Sequence, residues 1–110
     1  MHDYFTYIVT NKSRTTLYIG VTNDLARRVW EHRNPASNKS FAARYSLGVL
    51  VWFEHFREIA AAIECETKLK GWTRAKKDAL IAKTNPRCED LSDSFEQLPV
   101  INDEVDPADY

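Results

Sequence analysis

Tyr7, Tyr18, Arg28 and His32 crowd into the first third of a chain of 110 residues. Two phenols, a guanidinium and an imidazole so close together are more chemistry than a plain core requires. A guanidinium forks onto phosphate oxygens, whereas phenols and imidazoles give and take protons. Glu66 follows further along, and such a carboxylate can hold a divalent cation against a phosphate. Together the five side chains suit metal-assisted chemistry on a phosphodiester.

Helix geometry selects which charges face inward. Successive residues turn by about 100°, so positions i, i+3, i+4 and i+7 share a side. Within residues 23–32 this gathers Leu25, Arg28, Val29 and His32 on one face and directs Arg27 and Glu31 the other way. A cation on the sheet-facing side is costly to desolvate unless something negative meets it, and a phosphate does so well. The bland alternative is an arginine at the edge of the stripe that reaches water or pairs with an acid. The same wheel sets Glu66 among Ile59, Ala62, Ile63, Leu69 and Lys70, with Glu64 on the outer side. An acid in an apolar stripe requires a cation, either Mg²⁺ or a salt bridge to Arg28 or Lys70. Tyr7, Tyr18 and His32 taken singly are equally consistent with packed core residues whose polar tips are hydrogen-bonded.

The elements that must position these groups follow from composition. Residues 4–10 and 15–21 are aromatic and β-branched and flank the polar Asn11, Lys12, Ser13 and Arg14, which predicts a β-hairpin. Asn23 is a candidate N-cap, with Asp24 just inside, for a helix reaching His32 and stopped by Asn34 and Pro35. Residues 34–46 are polar and predict a surface loop; residues 47–53 predict a third strand, central or covered on both faces. An alanine-rich helix over 57–70, a break at Gly71 and a second helix capped by Thr73 and running to Lys83 close the domain. The fold class is therefore α+β, a small three-stranded antiparallel sheet flanked by helices, with an α/β sandwich that gains extra pairing from the tail as the alternative.

A length of 110 residues suits one domain, and residues 1–91 are expected to form it, followed by an acidic, mobile tail over 92–110. The net charge of −1 hides a split: residues 1–83 hold 14 Lys/Arg against 8 Asp/Glu, or +6, and residues 84–110 hold one Arg against 8 acids, or −7. The body thus has the sign a nucleic acid needs. Cys65 and Cys88 lie far apart without a CxxC pair and read as reduced thiols, half-buried or buried. No signal peptide and no apolar run approaching the roughly twenty residues of a membrane span is evident, so a soluble, cytoplasmic protein is expected.

The order and spacing of these residues resemble the GIY-YIG endonuclease superfamily, named for two tyrosine-bearing tripeptides on adjacent strands. Tyr18-Ile19-Gly20 is the second tripeptide intact, and Phe5-Thr6-Tyr7 is a degenerate first one that keeps only its tyrosine. The family's arginine and, four residues on, its histidine fall on Arg28 and His32, and its metal-binding glutamate falls on Glu66 within the run Glu66-Thr67-Lys68-Leu69-Lys70-Gly71-Trp72-Thr73-Arg74. That run looks like the small stand-alone bacterial branch related to the N-terminal nuclease domain of excinuclease C. The resemblance covers residues 4–91 and implies a nuclease that uses Mg²⁺ or Mn²⁺ held at Glu66, with Arg28 on the phosphate. It further implies that Tyr7 activates or orients water, assisted by His32 or Tyr18, and that Asn85 supports the site. It also implies DNA as substrate, with RNA as an option, and a DNA-repair setting.

Substrate contacts are expected from Lys39, Arg44 and Tyr45 in the loop and from Lys70, Trp72, Arg74, Lys76 and Lys77 on the later helices, where charge alternates with an aromatic face. The ordinary alternative is a core tryptophan beside solvated lysines. Two further functional readings stand beside cleavage: a nucleic-acid-binding module of the same fold without turnover, and an interaction protein whose acidic tail docks on a basic surface.

Overall fold

Aromatic, apolar and β-branched side chains recur densely in residues 4–10, a composition that favours a strand covered on both faces. The computed structural model describes residues 3–33 and 47–92. Strand β1 (Tyr4–Thr10) is the central one, flanked by β2 (Leu17–Thr22) and β3 (Val49–Phe56) in the order β2-β1-β3, both pairs antiparallel. Helices α1 (Leu25–Arg33), α2 (Ile59–Lys70) and α3 (Arg74–Thr84) complete the α+β fold. The expected three antiparallel strands with flanking helices are present.

Alternation along the strands sorts the core into two layers. Tyr7, Val9 and Leu50 pack with Leu25 and Val29 of α1, whereas Ile8, Ile19, Val51 and Trp52 pack with Leu69 of α2 and Ile81 of α3. Leu50 and Val51 are fully buried, and each contributes about 1.5–3 kcal/mol relative to an exposed side chain. Two buried threonines of β1 satisfy their hydroxyls on backbone carbonyls: Thr6 donates to the Ala62 carbonyl of α2 at 2.8 Å and Thr10, at the strand's end, to the Thr16 carbonyl at 2.7 Å.

Several boundaries differ from the composition-based expectations. Strand β2 starts at Leu17, not at residue 15, because Asn11 Oδ1 accepts from the Thr15 and Thr16 amides (2.9 and 3.3 Å) and holds those residues in the turn. Helix α1 is capped by Asp24, not Asn23: Asp24 Oδ1 accepts from the Arg27 amide at 3.1 Å. Helix α2 begins at Ile59 and β3 runs Val49–Phe56. Thr73 caps α3 as expected, accepting from the Lys76 amide.

Strand β3 lies at an edge of the sheet rather than at its centre. Its register slips between Ile8 and Val9, whose partners are Trp52 and Leu50, so Val51 bulges. The chain after α3 covers that edge. Asn85 Nδ2 donates to the Val51 carbonyl at 3.1 Å, the Leu91 amide to the Leu50 carbonyl at 2.7 Å, and the Leu50 amide to Asp90 Oδ1 at 3.3 Å. Arg33, the last residue of α1, joins the same segment: Nη2 donates to Asp90 Oδ2 (2.5 Å) and Ser92 Oγ (2.6 Å), and Nε to the Gly48 carbonyl (2.8 Å).

Candidate active site

Register places the two phenols. Tyr7 pairs with Gly20 and Val9 with Tyr18, so Tyr7 and Tyr18 are diagonal neighbours on the α1 side of the sheet, with ring centroids 6.5 Å apart. A Cβ on residue 20 would lie 2.5 Å from Tyr7 Oη and 2.6 Å from Cζ. Glycine is therefore required there by the close approach of the phenol, not by its backbone angles. Helix α1 lays His32 against both rings, with centroids 5.8 Å from each.

Tyr7 Oη and His32 Nε2 share a hydrogen bond of 3.0 Å, and the two side chains are 2% and 1% exposed. Burial first, then the charge of Arg28, lowers the His32 pKa to about 4, so the ring is neutral at physiological pH. His32 Nδ1 is buried and has no hydrogen-bond partner among the described residues. The Tyr7 phenol is held well above its ordinary value, first by burial and next by Tyr18; Arg28 pulls it down, and Glu66 and Glu31 push it up. Arg28, Glu66 and Glu31 therefore all act on this one hydroxyl.

Arg28 is only 16% exposed, and Arg27 is 48% exposed, as the helical wheel predicts. Glu31 does not follow that wheel. Its side chain is 20% exposed and folds back to place Oε1 3.5 Å from Arg28 Nε. The acid partner foreseen as the bland alternative for Arg28 thus exists, although neither atom is satisfied by a hydrogen bond. Glu66 is half-buried where Glu64 is exposed, and Glu66 Oε2 lies 3.5 Å from Lys70 Nζ, the salt bridge foreseen as its alternative to a metal.

Among the described residues, no three His, Cys, Asp or Glu side chains group as a metal-ligand set. Mg²⁺ can be held by a single carboxylate, because this ion keeps several waters and completes its shell with substrate phosphate oxygens. Glu66 is a half-buried carboxylate of this kind, and its charge is among those that raise the Tyr7 phenol.

Of the residues expected to touch substrate, Lys39, Arg44 and Tyr45 lie outside the described residues. Lys76 Nζ stands 4.7 Å from the centroid of the half-buried Trp72 ring, Lys77 is half-buried, and Lys70 pairs with Glu66. Arg74 is engaged in structure: Nε donates to Asp78 (2.9 Å), Nη1 to the Thr15 carbonyl (2.9 Å) and Nη2 to the Arg14 carbonyl (2.5 Å). Asn85, 5% exposed, bonds Val51 and both backbone groups of Glu89. Cys65 and Cys88 are free thiols, both half-buried.

The model of the GIY-YIG catalytic domain matches residues 3–79, a span that contains both tyrosine strands, α1 and Glu66. The chain belongs to the GIY-YIG family of nuclease domains. This GIY-YIG chain is similar to UPF0213 proteins. One from Haloquadratum walsbyi is 38% identical over 84 residues, covering 73% of this chain and 89% of the relative. Another from Bacillus pumilus is 34% identical over 80 residues, covering 73% and 80%. A solution NMR structure of a UPF0213 protein from Bacillus halodurans aligns over 89% of this chain and 99% of that one, at 25% identity and a TM-score of 0.49. No helix among the described residues is long and apolar enough to cross a membrane.

Two features of this GIY-YIG site escape sequence reasoning. Glu31 is one, since a wheel gives its direction but not how its long side chain bends. Gly20 as the seat of the Tyr7 phenol is the other, although its signal is present once the hairpin register is known.

Proposed function

We propose that this chain is a divalent-metal-dependent endonuclease that hydrolyses phosphodiester bonds in DNA and selects substrate by structure. The observation that carries the reading is the buried Tyr7–His32 hydrogen bond, beside a guanidinium that is nearly buried as well. A neutral His32 can carry its own proton on Nδ1 and offer Nε2 as an acceptor. Nε2 then takes the phenolic proton as Tyr7 Oη draws one from the attacking water, a relay that the low basicity of the buried ring opposes and that would need a water acidified by the cation when it is bound. Arg28 grips the phosphoryl oxygens and stabilises the charge that grows on them. Glu66 would hold the cation, which when bound supplies Lewis-acid charge at the phosphate and the leaving oxygen. Backbone-binding cations beside the Trp72 face, with Lys76 4.7 Å from it, favour unpaired or distorted strands over a base sequence.

The test is a panel of nicked, splayed, branched, single-stranded and duplex DNAs, with RNA counterparts, incubated with Mg²⁺ or Mn²⁺. Cleavage is expected to fall by about a hundred-fold or more in Arg28→Ala and Glu66→Ala. No cut by the parent, or equal cutting by the variants, overturns the proposal. The Glu66–Lys70 pair at 3.5 Å favours one competing reading, a binding module of the same fold without turnover. Salt-sensitive binding that survives Glu66→Ala, with no metal-dependent cleavage, selects it.

A further inference from the structure

We infer that the Glu31 carboxylate is a built-in stand-in for a substrate phosphate, held between Arg27 and Arg28 and displaced when nucleic acid binds. The inference rests on the nucleic-acid reading above and adds to it two residues, Arg27 as a second phosphate contact and Glu31 as the group that competes for it.

Positions 27, 28 and 31 stand at i, i+4 and i, i+3 spacing, so the three side chains meet on one flank of α1. Glu31 Oε2 lies 3.7 Å from Arg27 Nε, and Oε1 lies 3.5 Å from Arg28 Nε. One carboxylate thus bridges two guanidiniums, the arrangement in which two arginines take a phosphodiester. The bridge is incomplete. Arg28 Nε and Glu31 Oε1 are both shut off from solvent and neither makes a hydrogen bond. Each keeps an unmet bonding capacity, the costly condition for a buried polar atom. A phosphodiester could meet the Arg28 donor, because the two non-bridging oxygens on its tetrahedral phosphorus are not tethered to α1 as the Glu31 carboxylate is.

Charge makes the exchange feasible. Two guanidiniums and one carboxylate leave a local charge of about +1, and a phosphodiester in place of the carboxylate leaves the same value. Glu31 can leave toward the Arg27 side, where the guanidinium is 48% exposed. Its charge also opposes ionisation of the Tyr7 phenol, so its departure relieves that effect as the substrate arrives.

The experiment measures binding of a fluorescein-labelled single-stranded oligonucleotide in EDTA by anisotropy, so that turnover plays no part. Glu31→Gln is expected to bind roughly five-fold or more tightly at low salt. Glu64→Gln makes the same net-charge change at an exposed site on α2 and is expected to tighten binding much less. The gain should vanish when Arg27→Ala and Arg28→Ala are added together. Unchanged or weaker binding by a folded Glu31→Gln overturns the inference, as does a gain equal to that of Glu64→Gln or one that persists without both arginines. Absence of binding by both parent and Glu31→Gln overturns it too. Binding that follows the expected pattern with no cleavage in Mg²⁺ instead refutes the endonuclease reading and leaves the Glu31 assignment standing.

Discussion

Titration of His32 links acidity to stability through a single buried ring. Its pKa is lowered from 6.5 to about 4 by burial, with Arg28 adding to the effect. Between those values the unfolded chain binds more protons than the folded one, so stability rises with pH across the window and is lost as pH falls through it. At about 1.4 kcal/mol per unit, the whole window is worth about 3 kcal/mol, of which about 2 kcal/mol falls between pH 7 and pH 5. The ring is 1% exposed, so solvent screening discounts little of this. Urea unfolding of the parent and of His32→Gln at both pH values isolates the effect, since the variant keeps every other titrating group. The parent should lose about 2 kcal/mol more than the variant on acidification. NMR titration of the imidazole supplies a direct check. A His32 midpoint near 6.5, or equal losses by the two proteins, would refute the reasoning.

Gly20→Ala should destabilise by about 1–3 kcal/mol in chemical unfolding, because the added methyl meets Tyr7 Oη at 2.5 Å in a buried site with nowhere to move. Thr73→Ala removes the hydroxyl that accepts from the Lys76 amide and should cost about 1 kcal/mol by the same measurement. Arg74→Ala frees the Arg14 and Thr15 carbonyls, so amide exchange in the hairpin turn should quicken while helix α3 keeps its circular dichroism.

Local signals read well from the residues alone, and long-range pairings do not. The bounds of β1 and the Thr73 cap follow from composition within a few residues, which is why both are legible. The inward turn of Arg28 and Glu66 over Arg27 and Glu64 also comes from one period of a helix. Strand order is different in kind: Leu47, Val49, Leu50 and Val51 are apolar enough for a strand that is central or covered on both faces, and β3 is the latter, an edge strand packed on both sides whose outer carbonyls the chain after α3 covers. Asn23 and Asp24 are comparable cap formers by type, and the choice between them lies in the turn where the Asp24 amide donates to Thr22 Oγ1 at 3.0 Å. Arg74 counts as one more cation in a sequence, whereas its nitrogens are committed to two carbonyls of a turn some sixty positions earlier.

The segment from Asn85 to Ser92 lies past the residues 3–79 that define the family domain, yet it caps the outer strand and fastens the end of α1 through Arg33. An uncovered outer strand is a template on which another chain can add its own, the usual route from a small sheet to fibrils or exchanged dimers. A protein shortened after Thr84 would bare the Leu50 and Val51 carbonyls to just such a neighbour. The short stretch that looks like a mere lead-in to an acidic tail thus closes the β3 edge of the sheet.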